Sequence, residues 1–181
     1  MTGNDDKFAV WIDEFHEKDR EGQIERMEWI HDHHPEPNGY QPFHGGFTSS
    51  NLYEEAQQAY LFGLFQTSMV TALSVVEQEL IGILYGAGED EMKEKGAAAA
   101  IDEAASRHLI TPEQKQVLHR VRKVRNPTAH FRLGVDDDSL ESRAIEQDTA
   151  PFDLIKEEAQ IALKAMFSVV GDGEEGLDGY L

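Results

Sequence analysis

The sequence predicts an all-α protein built as a bundle of helices, and three observations carry that prediction. Apolar residues recur every three or four positions over long stretches, as one face of a helix requires. No run alternates apolar with polar in the manner of a half-buried strand. Capping and breaking residues stand where the periodic stretches begin or end. Five segments look helical.

The first covers about Asp5 to His34. Phe8, Trp11, Ile12 and Phe15 share helical spacing, and Ile24, Met27 and Ile30 resume it. Gly22 interrupts the pattern and marks either a bend or a break between two helices. Residues 35–50, PEPNGYQPFHGGFTSS, read as a linker because proline, glycine and serine dominate. Its aromatics Tyr40, Phe43 and Phe47 suit a segment that packs along a surface. Leu52 to about Tyr85 reads as the longest helix, with a core stripe of Phe62, Phe65, Met69, Leu73, Val76, Leu80 and Ile83. The small residues Ala59, Gly63, Ser68, Ala72 and Ser74 among them would let another helix approach closely. Gly86 and Gly88 end it. Glu89 to about His108 reads as a shorter helix with a weak apolar face.

Thr111-Pro112-Glu113-Gln114 is a strong helix start. Threonine caps, proline suits the first helical position, and the glutamine three residues on completes a capping box. Val117, Leu118, Val121 and Val124 then point inward. Gly134 to Ala150 reads as an acidic loop. Pro151 to Val170 forms a last helix that buries Phe152, Ile155, Ala159, Ala162, Leu163, Met166 and Phe167. The remainder to Leu181 has the composition of a disordered acidic tail.

The 181 residues suit one domain with appendages, and 40% hydrophobic content suffices for a core. No stretch reaches ~18–20 uninterrupted apolar residues, so no membrane-spanning helix is predicted. The start, MTGNDDKF, is acidic and argues against a secretory signal, so a cytoplasmic protein is expected. The absence of cysteine excludes disulfides, thiolate metal sites and cysteine nucleophiles. The formal net charge is −19, with 35 acids against 16 bases. Two explanations fit: a salt-adapted cell, where the Debye length falls to ~3 Å at 1 M and self-repulsion is screened, or an acidic decoy of nucleic acid. The spread of the acids along the whole chain favours the first.

Against that acidity, the segment from Gln114 to Val135 holds Lys115, Arg120, Arg122, Lys123, Arg125 and Arg132 and no acid. Within it lies Arg125-Asn126-Pro127-Thr128-Ala129-His130. RNA is cut without a metal when a group takes the proton of the 2′-hydroxyl and the oxygen attacks the adjacent phosphorus. A cation then steadies the charge that builds on the phosphoryl oxygens. Histidine suits the proton transfer, because its ordinary pKa of ~6.5 lies near the working pH. Arginine suits the phosphate, because its fork stays charged and bonds two oxygens. On an ideal helix five residues amount to roughly 500°, so Arg125 and His130 would point about 140° apart. Pro127 disfavours helix at Asn126 and predicts a kink or restart that would bring the pair together. A second copy across a dimer axis would also complete the site.

RNPTAH, preceded by HLITPEQKQVLHRVRKV, resembles the signature of HEPN domains (higher eukaryotes and prokaryotes nucleotide-binding). EEAQQAYLFGLFQTSMVTALSVVEQEL is similar to the long helix of that family, and DLIKEEAQIALKAMF to its closing helix. The likeness covers roughly residues 51–170. Residues 1–34 are then an N-terminal helical extension, 35–50 a linker and 171–181 the tail. The resemblance implies a bundle of four to five helices with an extra N-terminal helix, usually dimeric. It also implies metal-independent endoribonuclease activity without a cofactor, often in toxins or antiviral defence. Arg125 and His130 match the catalytic pair and Asn126 the polar position after the arginine. Family likeness also lets Glu77 approach and orient Arg125. An antitoxin or nucleotidyltransferase is a possible partner for toxin-type members, and some members are binding modules without catalysis.

Arg120, Arg122, Lys123 and Arg132 are candidate RNA contacts, to be weighed against a solvated basic face. His31, Asp32, His33 and His34 suggest a metal site. Pro35 follows at once, however, and no second ligand cluster is evident, so a helix end is the better reading and no metal is expected. His44 lies in the linker, and His119 on the basic segment is a possible RNA contact. No glycine loop matches a nucleotide-binding fingerprint.

Overall fold

A computed structural model describes residues 5–35, 43–129 and 139–171, with only the backbone for Asp5, Asp6, Phe8, Phe15, His16 and residues 126–129. Among the described residues the protein is all-helical. Its α-helices are α1 (Asp5–Lys18), α2 (Arg20–His33), α3 (Gly46–Leu61), α4 (Phe65–Gly86), α5 (Ala97–Ser106), α6 (Pro112–Ala129), α7 (Leu140–Glu146) and α8 (Pro151–Val170). A short 3₁₀ turn spans Asp90–Glu94.

α4 is the central element, and α3, α5, α6 and α8 pack around it. Phe65, Met69, Leu73, Val76 and Leu80 are buried as the stripe requires. Each fully buried leucine contributes about 2 kcal/mol. α4 is long and apolar enough to cross a membrane by length and composition, but half of its most apolar window is buried inside the bundle.

The single long helix expected from Leu52 to Tyr85 is two helices. α3 stops at Leu61 and the chain reverses through Phe62-Gly63-Leu64 into α4. Gly63 adopts φ +72°, a conformation that costs side-chain-bearing residues dearly. Its N–H donates to the Tyr60 carbonyl, and the Leu64 N–H donates to that of Ala59. These are the two bonds of a Schellman closure. Gly63 is therefore a turn and not a helix–helix contact, and Phe62 leaves the core stripe and is exposed. Ser68 and Ala72 do mark close packing, and the Ser68 Oγ donates to the Ala56 carbonyl across the hairpin.

Other boundaries differ as well. The N-terminal break falls at Asp19, not Gly22, which lies inside α2. α2 docks through Arg26, Trp29, Ile30 and His33, spaced three and four apart, while Ile24, Met27, Trp11 and Ile12 are exposed. The Arg26 Nε donates to the Leu61 carbonyl at 2.8 Å, and its guanidinium pairs with Asp19. The linker ends at Gly45, because Gly46, Phe47, Thr48, Ser49 and Ser50 open α3. The expected helix from Glu89 reduces to the 3₁₀ turn and α5.

The acidic loop contains α7, capped by the Ser139 Oγ, which accepts from the Ser142 N–H at 3.1 Å. Arg143 of α7 pairs with the buried Glu158 of α8. α8 occupies Pro151–Val170 as expected, although Phe152 stays exposed with one face against Phe65. The tail beyond 171 lies outside the described residues.

Candidate nucleic-acid interface

The basic segment is α6, and its start forms as the sequence dictates. The Thr111 N–H donates to the Gln114 Oε1 at 2.7 Å, and the Gln114 N–H donates to the Thr111 Oγ1 at 3.1 Å. Two orphan donors of the first turn are thereby satisfied. The start of α6 meets the end of α4 in a cleft of about 490 Å³, whose lining includes Leu80, Ile83, Thr111 and Gln114. α6 therefore runs antiparallel to α4. Val117, Leu118 and Val121 are buried, and Val124 packs against the core from its edge.

Charge on α6 is handled differently in its two halves. Early in the helix, Asp102 of α5 holds both nearby nitrogen groups: Lys115 Nζ at 2.7 Å and His119 Nε2 at 3.1 Å from one carboxylate oxygen. Hydrogen bonds from Lys115 and then His119 keep the Asp102 carboxyl below its ordinary pKa. In the later half, Arg120, Arg122, Lys123 and Arg125 form no hydrogen bond or ion pair with any described residue. Arg120 and Lys123 are exposed, whereas Arg122 and Arg125 are partly buried. The Nε atoms of Arg122 and Arg125 are shielded from solvent and have no partner among the described residues.

Helical phase explains the division. Arg120 and Lys123, three residues apart, share one side of α6, and Arg122 and Arg125 share a side roughly 160° away. Arg125 lies four residues beyond Val121 and seven beyond Leu118, so it extends the inward stripe past its last apolar member.

Pro127 does not break the helix as the sequence predicted, because α6 continues as one element to Ala129. The proline forfeits a single N–H, the one that would reach the Lys123 carbonyl. It does so in the final turn, where little helix remains to disturb. Asn126 lies in that turn, and His130 and Arg132 lie outside the described residues. No helix break falls between Arg125 and Ala129. Glu77 stands beside Gly96 at the start of α5, with its Oε1 3.7 Å from where a Cβ on Gly96 would be. No hydrogen bond or ion pair joins it to Arg125 among the described residues.

Glu79 belongs to no motif in the sequence, although it lies three residues after Val76 and so at an inward position. It is 1% exposed. Its carboxylate accepts from the His44 N–H (2.8 Å), the Gly45 N–H (3.0 Å) and the Ser49 Oγ (2.5 Å), with the His44 Nδ1 at 3.4 Å. A negative group at the start of α3 also suits the helix dipole. Gly82 makes the contact possible, since a Cβ there would meet the His44 carbonyl oxygen at 2.4 Å.

The histidines of HDHH divide in role. His33 stacks on Trp29 and shares a hydrogen bond with its carbonyl, and His34 bonds the hydroxyl of the buried Tyr53 at 3.0 Å. Burial pushes the Tyr53 phenol above its ordinary range. Among the described residues no three of His, Asp and Glu are placed to hold a metal ion.

The fold and α6 together define a class: a helical bundle that presents a cationic helix end uncompensated by any described acid. No family model, curated protein or solved structure matches the chain.

Proposed function

We propose that this protein is a metal-independent endoribonuclease of HEPN type, acting as a dimer in the cytoplasm of a salt-adapted cell. One observation supports the reading above others. Four cations within six residues lack an acidic partner among the described residues of a protein of net charge −19, and the last of them stands five positions before His130. A site that neutralises backbone phosphate needs such unpaired cations.

In this reading His130 removes the 2′-hydroxyl proton and the 2′-oxygen forms a bond to the adjacent phosphorus. The bond from phosphorus to the 5′-oxygen breaks, and that oxygen gains a proton. The products are a 2′,3′-cyclic phosphate and a 5′-hydroxyl end. Arg125 stabilises the charge on the phosphoryl oxygens, Asn126 orients one of the pair, and Arg120, Arg122, Lys123 and Arg132 guide the strand. The activity would serve as a toxin or in defence.

The unbroken α6 favours a second reading, a non-catalytic HEPN-like module that binds RNA, a nucleotide or a protein partner. Incubation with several RNAs in concentrated KCl and EDTA separates the two. Cleavage by the wild type that His130→Ala and Arg125→Ala both lose supports the enzyme. Equal cutting by all three proteins, or none by any, sinks it.

A further inference from the structure

The helical phase of α6 sets Arg122 and Arg125 on one side of the helix, where no described carboxylate pairs with them. Arg122 and Arg125 are separated by one turn, so their Cβ atoms are on the order of 5–6 Å apart. Both are partly buried, and each has a shielded Nε with no acceptor among the described residues. Two like charges one helical turn apart, each with an orphaned buried donor, are unfavourable by themselves. Elsewhere the buried Arg26 is answered by Asp19 and the Leu61 carbonyl, and the partly buried Arg143 by Glu158. Asp102 answers Lys115 and bonds His119 earlier in the same helix. The pair at 122 and 125 thus has the charge, donor count and spacing to share one tetrahedral anion, each fork reaching two of its oxygens.

We propose that Arg122 and Arg125 form a clamp for a single phosphate group. The ribonuclease reading above casts Arg122 as a peripheral strand guide, and this proposal rests on that reading while giving Arg122 a different part. It would hold, with Arg125, the phosphodiester on which the chemistry acts. Arg120 and Lys123, on the opposite side of the helix, belong to a separate and looser contact with neighbouring phosphates.

The test uses the full chain at fixed ionic strength, with chloride exchanged for inorganic phosphate while the melting temperature is followed. Wild type and the Arg120→Ala/Lys123→Ala variant are expected to show saturable stabilisation. Arg122→Ala and Arg125→Ala are expected to lose at least about tenfold in phosphate affinity. Arg122→Lys, which keeps the charge and packing stem but not the fork, is expected to lose most of that affinity as well. It also guards against a loss caused by misfolding, which circular dichroism checks in every variant. Wild-type-like phosphate binding by Arg122→Ala, or no saturable binding by wild type, overturns the clamp.

Cleavage assays keep the two proposals apart. Phosphate binding that depends on both arginines, with no RNA cut by any protein, leaves the clamp standing and removes the ribonuclease. RNA cut with unchanged kcat/KM and unchanged phosphate binding in Arg122→Ala does the reverse.

Discussion

Two regions of this molecule treat charge in opposite ways. Where the later part of α4 meets the start of α3, Glu79 is buried, and two backbone N–H groups and the Ser49 hydroxyl donate to it. Over the last turns of α6, four cations stand with no described acid bonded to them, and two of their nitrogens are both shielded and unbonded. The first arrangement holds the fold together: the carboxylate ties the backbone before α3 and the Ser49 hydroxyl to α4, and so fixes how the chain enters α3. The second does nothing evident for the fold, and a protein with acids to spare has placed none of its described ones there. Charge that is matched marks structure here, and charge left unmatched points to a ligand.

The sharpest break in this comparison comes from activity. On the ribonuclease reading, Arg125→Ala is expected to lower RNA cleavage about 10²–10³-fold, the usual loss when a group that stabilises transition-state charge is removed. Denaturant titration of the same variant should show a stability no more than ~0.5 kcal/mol below wild type, and higher if the orphaned Nε is a burden, since no described bond in the fold depends on that side chain. A large loss of stability would mean that Arg125 is structural after all.

Glu79→Ala should do the opposite. It leaves several donors buried without an acceptor and is expected to cost about 3 kcal/mol, measured by urea unfolding. Glu79→Gln keeps some of those bonds and should cost less. If Glu79→Ala is neutral, the claim that matched charge is structural here fails.

Backbone strain gives a smaller effect. α5 closes with the same pair of bonds as α3, the His108 N–H to Ala105 and the Leu109 N–H to Ala104, yet places a histidine at φ +58°. His108→Gly should stabilise by about 1 kcal/mol, read as a rise in melting temperature.

Asp102→Asn is expected to have the mildest consequence and tests the boundary between the two kinds of charge. It releases Lys115 and His119, so RNA binding should strengthen, and the slope of log affinity against log salt should steepen by ~0.7 for each additional phosphate neutralised. The carboxyl of Asp102 has a lowered pKa in the folded state. Its contribution to stability is therefore present above the ordinary carboxylate range and is lost as pH falls through the depressed value. The asparagine variant should lack that small acid-side loss in an unfolding profile below about pH 4.

Local signals were legible in the sequence and long-range ones were not. The capping box at Thr111 and the span of α8 depend on residues a few positions apart, and both appear as expected. The reversal at Gly63 was hidden because Phe62 and Phe65 keep helical spacing across it, and a lone glycine inside a periodic run reads equally well as a packing residue. Glu79 was visible as an acid at an inward position, but its donors come from residues 44–49, some thirty positions earlier. The cations of α6 were plain from composition. Their division into answered and unanswered groups depends on Asp102, which is brought in by the packing of α5. Of the candidate site, Arg125 and the basic turns before it have a described setting, while His130 and Arg132 fall outside the described residues.

The central place of α4 carries a consequence for the birth of the protein. Its apolar stripe is covered in part by α8, the last helix of the described chain. At about 5–20 residues per second, a ribosome releases α4 on the order of ten seconds before α8 exists to pack against it. At the start of that interval, before α5 and α6 are made, the nascent chain exposes a rod as greasy as a membrane segment, with only its hairpin partner α3 to pack on it. The turn at Gly63 is therefore also a temporary shelter, folding α3 back onto α4 while the rest of the protein is still being made.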